Sequence, residues 1–216
     1  MNGKAPRKAA PGADTLGPRI VDTAIALAEE TGWSNVRLRL VADRLGVPLA
    51  EVHALYRDLD AVADAWFDRA LRAMLQPAPA GFADQPAPER LHLLLMRWLN
   101  ALAAHRDVTV QMLGEKLYPS HPHHWAPMIF SLSRLINWLR DAALLDAPGR
   151  RRQVEEIGLT ALFLATLAVW RRDGSAGQEM TGSFLRRRLA QADRMMGWLG
   201  GRPSGVATKE RPQALG

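Results

Sequence analysis

Between Arg19 and Leu59 the apolar side chains fall at helical spacing in three short runs separated by tight corners. In the first, Ile20, Ala24, Leu27 and Ala28 stand at i, i+4, i+7 and i+8, which predicts an amphipathic helix over about Ile20 to Glu30, ended by Gly32 and Trp33. The second places Val36, Leu40, Val41 and Leu45 on one stripe, with Ser34 or Asn35 able to cap it and Gly46 supplying the turn beyond. Pro48 is placed to open the third helix, because the first helical turn leaves unpaired the N–H that proline lacks. Glu51, three residues on, suits the positive end of the helix dipole, and Tyr56 closes the unit. Helix, corner, helix, corner, short helix is the layout of a helix-turn-helix.

Helical periodicity continues downstream. Asp60 to Leu75 reads as a connecting helix through Ala61, Ala65, Phe67, Leu71 and Leu75, and the Pro/Ala/Gly-rich stretch 77–88 as a linker and domain boundary. Glu89 to His105 is a core helix through Leu91, Leu93, Leu94, Leu95, Trp98, Leu99 and Leu102; Val108 to Leu117 is a shorter helix, and Tyr118 to Pro127 a loop fixed by Pro119, Pro122 and Pro127. Met128 to Leu145 carries Ile129, Leu132, Leu135, Ile136 and Leu139 in register. Glu155 to Arg171 is apolar nearly all round (Ile157, Leu159, Leu162, Phe163, Leu164, Leu167, Val169, Trp170), which predicts burial on several sides. Its roughly 14 apolar residues between charges fall short of the ~20 that span a bilayer, so a core or a subunit interface is the expectation. In Thr181 to Leu199 the residues Leu185, Leu189, Ala192, Met196 and Leu199 alternate steps of four and three, a bundle seam. Two wide apolar faces at the end of a chain fit a four-helix interface with a twofold mate, so a homodimer is expected.

The predicted fold is therefore all-α: a helix-turn-helix domain over 18–59, a connecting helix over 60–76, the linker, and a helical bundle over 89–200 for ligand binding and dimerisation. Residues 1–17 mix Gly, Pro, Ala and Lys, and 201–216 mix Gly, Pro, Lys and Arg, so both read as disordered tails, the first a basic arm of the kind that can track a minor groove.

Charge then bears on the partner. A net charge of +6 and a pI near 10.4 favour a polyanion, nucleic acid or anionic lipid. The basic residues cluster in the tails and at Arg150 to Arg152 and Arg186 to Arg188, away from the third helix. Between Asn35 and Asp60, Arg37, Arg39, Arg44 and Arg57 are balanced by Asp43, Glu51, Asp58 and Asp60. Base edges are read by Arg, Lys, Asn and Gln donors. Pro48 to Tyr56 holds none of these, and its polar side chains are Glu51, His53 and Tyr56.

Without cysteine the chain has neither a disulfide nor a thiolate metal site, which fits a reducing cytoplasm, and Lys4, Arg7 and Lys8 are followed by no apolar core segment of a signal peptide. A cytoplasmic protein with no transmembrane segment is expected. His121, His123 and His124, with Glu115 upstream, are the nearest approach to a metal cluster, but no second carboxylate and no i, i+4 pair accompanies them, so no metal and no cofactor are expected. A nucleophile elbow, a phosphate-binding glycine loop and paired carboxylates are all absent, which argues against an enzyme.

Ala42-Asp43-Arg44-Leu45-Gly46-Val47, the helix after it and the aromatic Tyr56 resemble the tetracycline-repressor (TetR) family of one-component regulators, over about a fifth of the chain. The resemblance implies that Pro48 to Tyr56 enters the major groove of a double-stranded DNA operator while the preceding helix braces the phosphates. Where the family usually has a small hydroxyl residue, a glycine, a tyrosine and a phosphate-contacting lysine, this chain has Pro48, Ala50, His53 and Leu59. The DNA-contacting set expected on this basis is Arg37, Arg39, Arg44, Pro48, Leu49, Glu51, His53, Tyr56 and Arg57.

A second resemblance covers most of the chain. Gly32-Trp33-Ser34, the Pro-rich loop before Met128, and Trp170 with Asp173-Gly174-Ser175, Thr181 and Phe184-Leu185-Arg186-Arg187-Arg188-Leu189 are similar to the lipid-binding ubiquinone-biosynthesis accessory family, coenzyme Q protein nine, which shares the TetR-like fold. It implies an isoprenoid or other lipid in the C-terminal half and a helix-turn-helix that no longer serves DNA. That family's membrane-binding helix beyond the last bundle helix has no counterpart after Gly200. The main expectation is thus a DNA-binding regulator that takes a hydrophobic effector or lipid in a pocket lined by Trp98, Met128, Leu132, Leu162, Phe163 and Trp170; the alternative is a lipid-presenting accessory protein.

Overall fold

The computed structural model describes residues 13–116 and 125–199. Nine α-helices and no strands occur among the described residues: α1 (Ala13–Thr31), α2 (Leu38–Leu45), α3 (Leu49–Leu55), α4 (Leu59–Met74), α5 (Ala87–Leu102), α6 (Arg106–Lys116), α7 (Trp125–Ala142), α8 (Gly149–Trp170) and α9 (Glu179–Leu199). The all-α expectation holds.

Several helix starts differ from the sequence pattern, among them that of α7, which begins at Trp125 inside the stretch expected to be a loop as far as Pro127; the starts of α1, α2 and α8 show why. α1 begins at Ala13, so 13–17 are helical instead of part of a loose arm, and residues 1–12 lie outside the described chain. Gly17 and Pro18 hide this start from a pattern reading. Leu16 packs on the core, however, and the carbonyls of Gly17 and Pro18 accept bonds from Tyr56 and Arg69 at 3.2 and 2.8 Å. α2 begins at Leu38 with Arg37 at its N-cap, and neither Ser34 nor Asn35 caps it. Both lie in a 3₁₀ turn after Gly32, whose φ of 87° a side chain would resist. Trp33, 2% exposed, anchors that turn, and its N–H donates to Gln111 Oε1 at 2.7 Å. α8 begins at Gly149, six residues before Glu155. Its polar first turns are held by the i, i+4 pairs Arg151–Glu155 (3.2 Å) and Arg152–Glu156 (2.7 Å).

The stretch 77–88 is more than a linker. It contains a 3₁₀ turn, Phe82–Asp84, whose Phe82 is buried, and Arg90 ties it down by donating to the carbonyls of Ala83 and Gln85 as well as to Ala143 across the bundle. α4 packs along α5, so the helix-turn-helix region and the bundle share one continuous core. At its centre Trp98 stacks on Phe67 of α4 and meets Phe163 of α8 edge-on, with centroids 6.2 and 5.2 Å apart.

Two polar clusters fix the corners of the bundle. Arg140 of α7 is buried, pairs with Glu155 and Glu156 at 3.2 and 3.5 Å, and donates to the carbonyls of Leu145 and Ala147, locking the α7–α8 turn. At the α8–α9 corner the Asp173 carboxylate accepts from the N–H groups of Ser175 (2.9 Å) and Thr181 (2.7 Å) and from both hydroxyls. It therefore caps the start of α9. Trp170 Nε1 donates to Gln178 Oε1, Gln178 Nε2 to Asn100 Oδ1 on α5, and the Arg106 guanidinium lies over the Trp170 ring while donating to the Asp173 carbonyl.

α8 corrects one expectation. Leu159, Phe163, Thr166 and Trp170 are buried on one face, but Val154, Ile157, Ala161, Leu164, Ala165 and Ala168 are exposed, Ile157 by 71%. At 3.6 residues per turn these exposed positions form one stripe opposite the buried face. A single chain buries only half of what the composition demands. By length and mean hydropathy the helix would also pass as a membrane span, yet its buried face belongs to a core shared with α7 and α9.

Candidate nucleic-acid interface

The corner between α2 and α3 is built by Gly46, in the left-handed region at φ 67°, where its N–H reaches back to the carbonyls of Ala42 and Asp43. Val47 N–H bonds Ala42 O at 3.1 Å and completes the helix ending. Pro48 follows as the N-cap of α3, and Glu51 occupies the first turn. Val41 and Val52, each 0% exposed, lock α2 and α3 onto α1. α3 turns only Val52 fully inward; Leu49, Ala50, Glu51, His53, Ala54 and Leu55 are all exposed. A helix so displayed is free to enter a groove.

The residues expected to touch DNA separate into two groups. Arg37, Arg39, Leu49 and His53, joined by Leu38 and Ala50, line an open groove between α2 and α3. Arg37 is oriented by bonds to the carbonyls of Ser34 and Val36, at 2.7 and 2.8 Å. Arg39 is exposed and has no ion pair among the described residues. Arg44 is different: it makes a two-pronged pair with Glu30 of α1 at 2.7 and 2.8 Å, which lowers the Glu30 pKa chiefly through the hydrogen bond. Arg57 pairs with Asp58, and Asp58 in turn caps α4 through Ala61 N–H.

Tyr56 turns away from the exposed face of α3. Its hydroxyl donates to the Gly17 carbonyl, and burial raises its pKa above the ordinary phenol value. That bond fastens the end of α3 to α1. Pairing leaves no local signature in sequence, so Glu30 as the partner of Arg44 and Gly17 as the partner of Tyr56 were invisible before the fold.

α6 connects this unit to the bundle. Its Gln111 holds the turn before α2 through Trp33, its Thr109 accepts from Trp66 Nε1 of α4 at 3.0 Å, and His105 just before it meets Glu29 of α1 at 2.6 Å. Its first residue, Arg106, is the one that grips the α8–α9 corner. The residues expected to line a ligand pocket are mostly packed core: Trp98, Phe163 and Trp170 are at most 4% exposed, and Leu132 and Leu162 are half-buried against the same core. The side chain of Met128 lies outside the described residues, as does the histidine cluster 121–124.

Neither a family model nor a curated protein matches the sequence. Solved structures do. The TetR transcriptional regulator from Nitrosomonas europaea ATCC 19718 is 43% identical over 84% of this chain and 99% of its own, with a TM-score of 0.74. A TetR transcriptional regulator from Rhodococcus sp. RHA1 matches at 18% identity over 82% of this chain and 96% of its own, TM-score 0.60. A TetR-like transcriptional regulator from the same organism matches at 18% over 87% and 99%, TM-score 0.53, and these two show the fold. A helix-turn-helix with an outward recognition helix, set on a helical bundle, is the architecture of a DNA-binding regulator. The chain belongs to the TetR family of transcriptional regulators. The lipid-presenting accessory reading gains no support from these neighbours.

Proposed function

We propose that the protein works as a homodimer whose two α3 helices enter successive major grooves of an operator, about one helical turn apart, while a hydrophobic effector taken up by the bundle alters their separation. The observation that carries the reading is the display of α3: of its seven residues all but Val52 face solvent, beside the exposed Arg37 and Arg39. The apolar stripe of α8 supplies a surface that a second copy would cover. Such a function requires no catalytic step and places the protein with the DNA, in the cytoplasm. α6 offers the route from bundle to reader, since Arg106 touches the α8–α9 corner and Gln111 the turn ahead of α2.

The two arginines of α2 divide the labour. Arg39 is expected to contact phosphate, whereas Arg44 is held by Glu30 and acts mainly to join α2 to α1. Arg39→Ala should weaken operator binding about 10-fold and reduce the salt slope by about one per half-site, and Arg44→Ala should change affinity by less than about threefold. Titration of the upstream DNA of the protein's own gene, with unrelated competitor at several salt concentrations, checks both. Binding that any DNA abolishes would reject the regulator reading for this helix-turn-helix.

A further inference from the structure

The two most outward positions of α3 are apolar, flanked by the exposed Glu51 and His53, although DNA is polar at almost every base edge. At about 100° per residue, Ala50 and Ala54 stand within about 20° of the direction opposite the buried Val52, and both are exposed. Leu49 is 50% exposed, and together with Ala50 and Leu38 it forms the apolar part of the groove that Arg37, Arg39 and His53 border. Such a groove is apolar within and cationic along its edges, which complements DNA bases flanked by phosphates. The seven residues Leu49–Leu55 include no Arg, Lys, Asn or Gln, so the forked donors that recognise guanine and adenine are missing from this helix.

In the major groove only thymine offers an apolar group, its 5-methyl. Small side chains at the two most outward positions let the helix backbone come close to the base edges, and Leu49 reaches sideways from the first turn. We infer that α3 reads its operator through thymine 5-methyl groups received by Leu49, Ala50 and Ala54, with Arg37 and Arg39 on the adjoining phosphates. This rests on the DNA-binding reading above and adds to it the chemistry of specificity. Burying one methyl is worth about fourfold in affinity, so a symmetric pair of contacts in two half-sites is worth about 15-fold.

The test uses the full-length protein and an operator duplex obtained by footprinting or by selection from random DNA. Thymines are replaced one position at a time by uracil, which deletes the methyl and keeps every hydrogen-bonding group. Competition titration should show about fourfold weaker binding at one or two positions of each half-site, restored by 5-bromouracil, whose bromine has about the bulk of a methyl. Leu49→Ala should bring the thymine-to-uracil ratio at its position close to one. Tight, specific binding with thymine and uracil equivalent at every position would overturn methyl readout and leave the regulator reading standing. Absence of any sequence-specific binding would remove both.

Discussion

Replacing Ile157 and Leu164 together by glutamate is expected to leave the protein monomeric in sedimentation velocity and to lower operator affinity by about 100-fold or more. Both side chains lie on the exposed stripe of α8, 71% and 44% accessible, with Val154 at 52% in the same row. An exposed apolar row of this length is the kind of surface that a second copy would cover in the proposed dimer. Four carboxylates brought face to face across a twofold axis would oppose that association by charge as well as by lost apolar contact. Losing the dimer removes the second half-site contact, and two linked sites commonly gain about 10²–10⁴ in avidity over one. Because neither residue contributes to the core of the single chain, the double variant should keep its helical content. A variant that remains dimeric at micromolar concentration would show that the copies meet elsewhere.

Asp173→Ala should cost about 3 kcal/mol or more in stability, read as a fall in thermal midpoint of roughly 6–12 °C. Asp173 is 1% exposed, and Thr181, whose N–H and hydroxyl it accepts, is 0% exposed. Truncation removes the cap of α9 and strands those buried donors, each of which costs about 1–3 kcal/mol when unpaired. The same carboxylate makes the bundle acid-sensitive. Burial by itself would raise its pKa, but the bonds from Ser175 and Thr181 outweigh burial and hold it at about 2, against 3.8 unperturbed. A lowered folded-state pKa means the stabilisation is complete above about pH 4 and fades as pH falls toward about 2, by on the order of 2 kcal/mol. Denaturant midpoints measured between about pH 5 and 2 should fall less steeply for Asp173→Asn than for the native protein. Equal slopes would mean that this group does not link folding to protons.

The pattern of apolar positions was enough to reveal a helix-turn-helix, its turn at Gly46 and the helix presented after it, because those features rest on periodicity and on backbone preferences that neighbouring residues set. The later helices were legible on the same grounds from Leu91 to Leu102 and from Leu185 to Leu189. Starts were not, where distant partners do the holding: Leu16 against the core for α1, Trp33 against Gln111 for α2, and Arg140 with Glu155 and Glu156 near the start of α8.

The candidate interface divides in the same way. Residue types along α3 were enough to say that it lacks the usual donors for base edges, since composition alone decides which hydrogen bonds a short helix can offer. Which arginines are free for DNA could not be read there. Arg44 and Arg39 look alike in the chain, and only the approach of α1 commits the first to Glu30 while leaving the second exposed. Likewise the apolar ring of α8 announced burial without saying by what: one half is covered by the protein's own bundle and the other is not. Local order in a helix is set by residues three and four apart, which the chain spells out directly. Partnership between helices depends on which surfaces meet after folding, and that is written in no single segment.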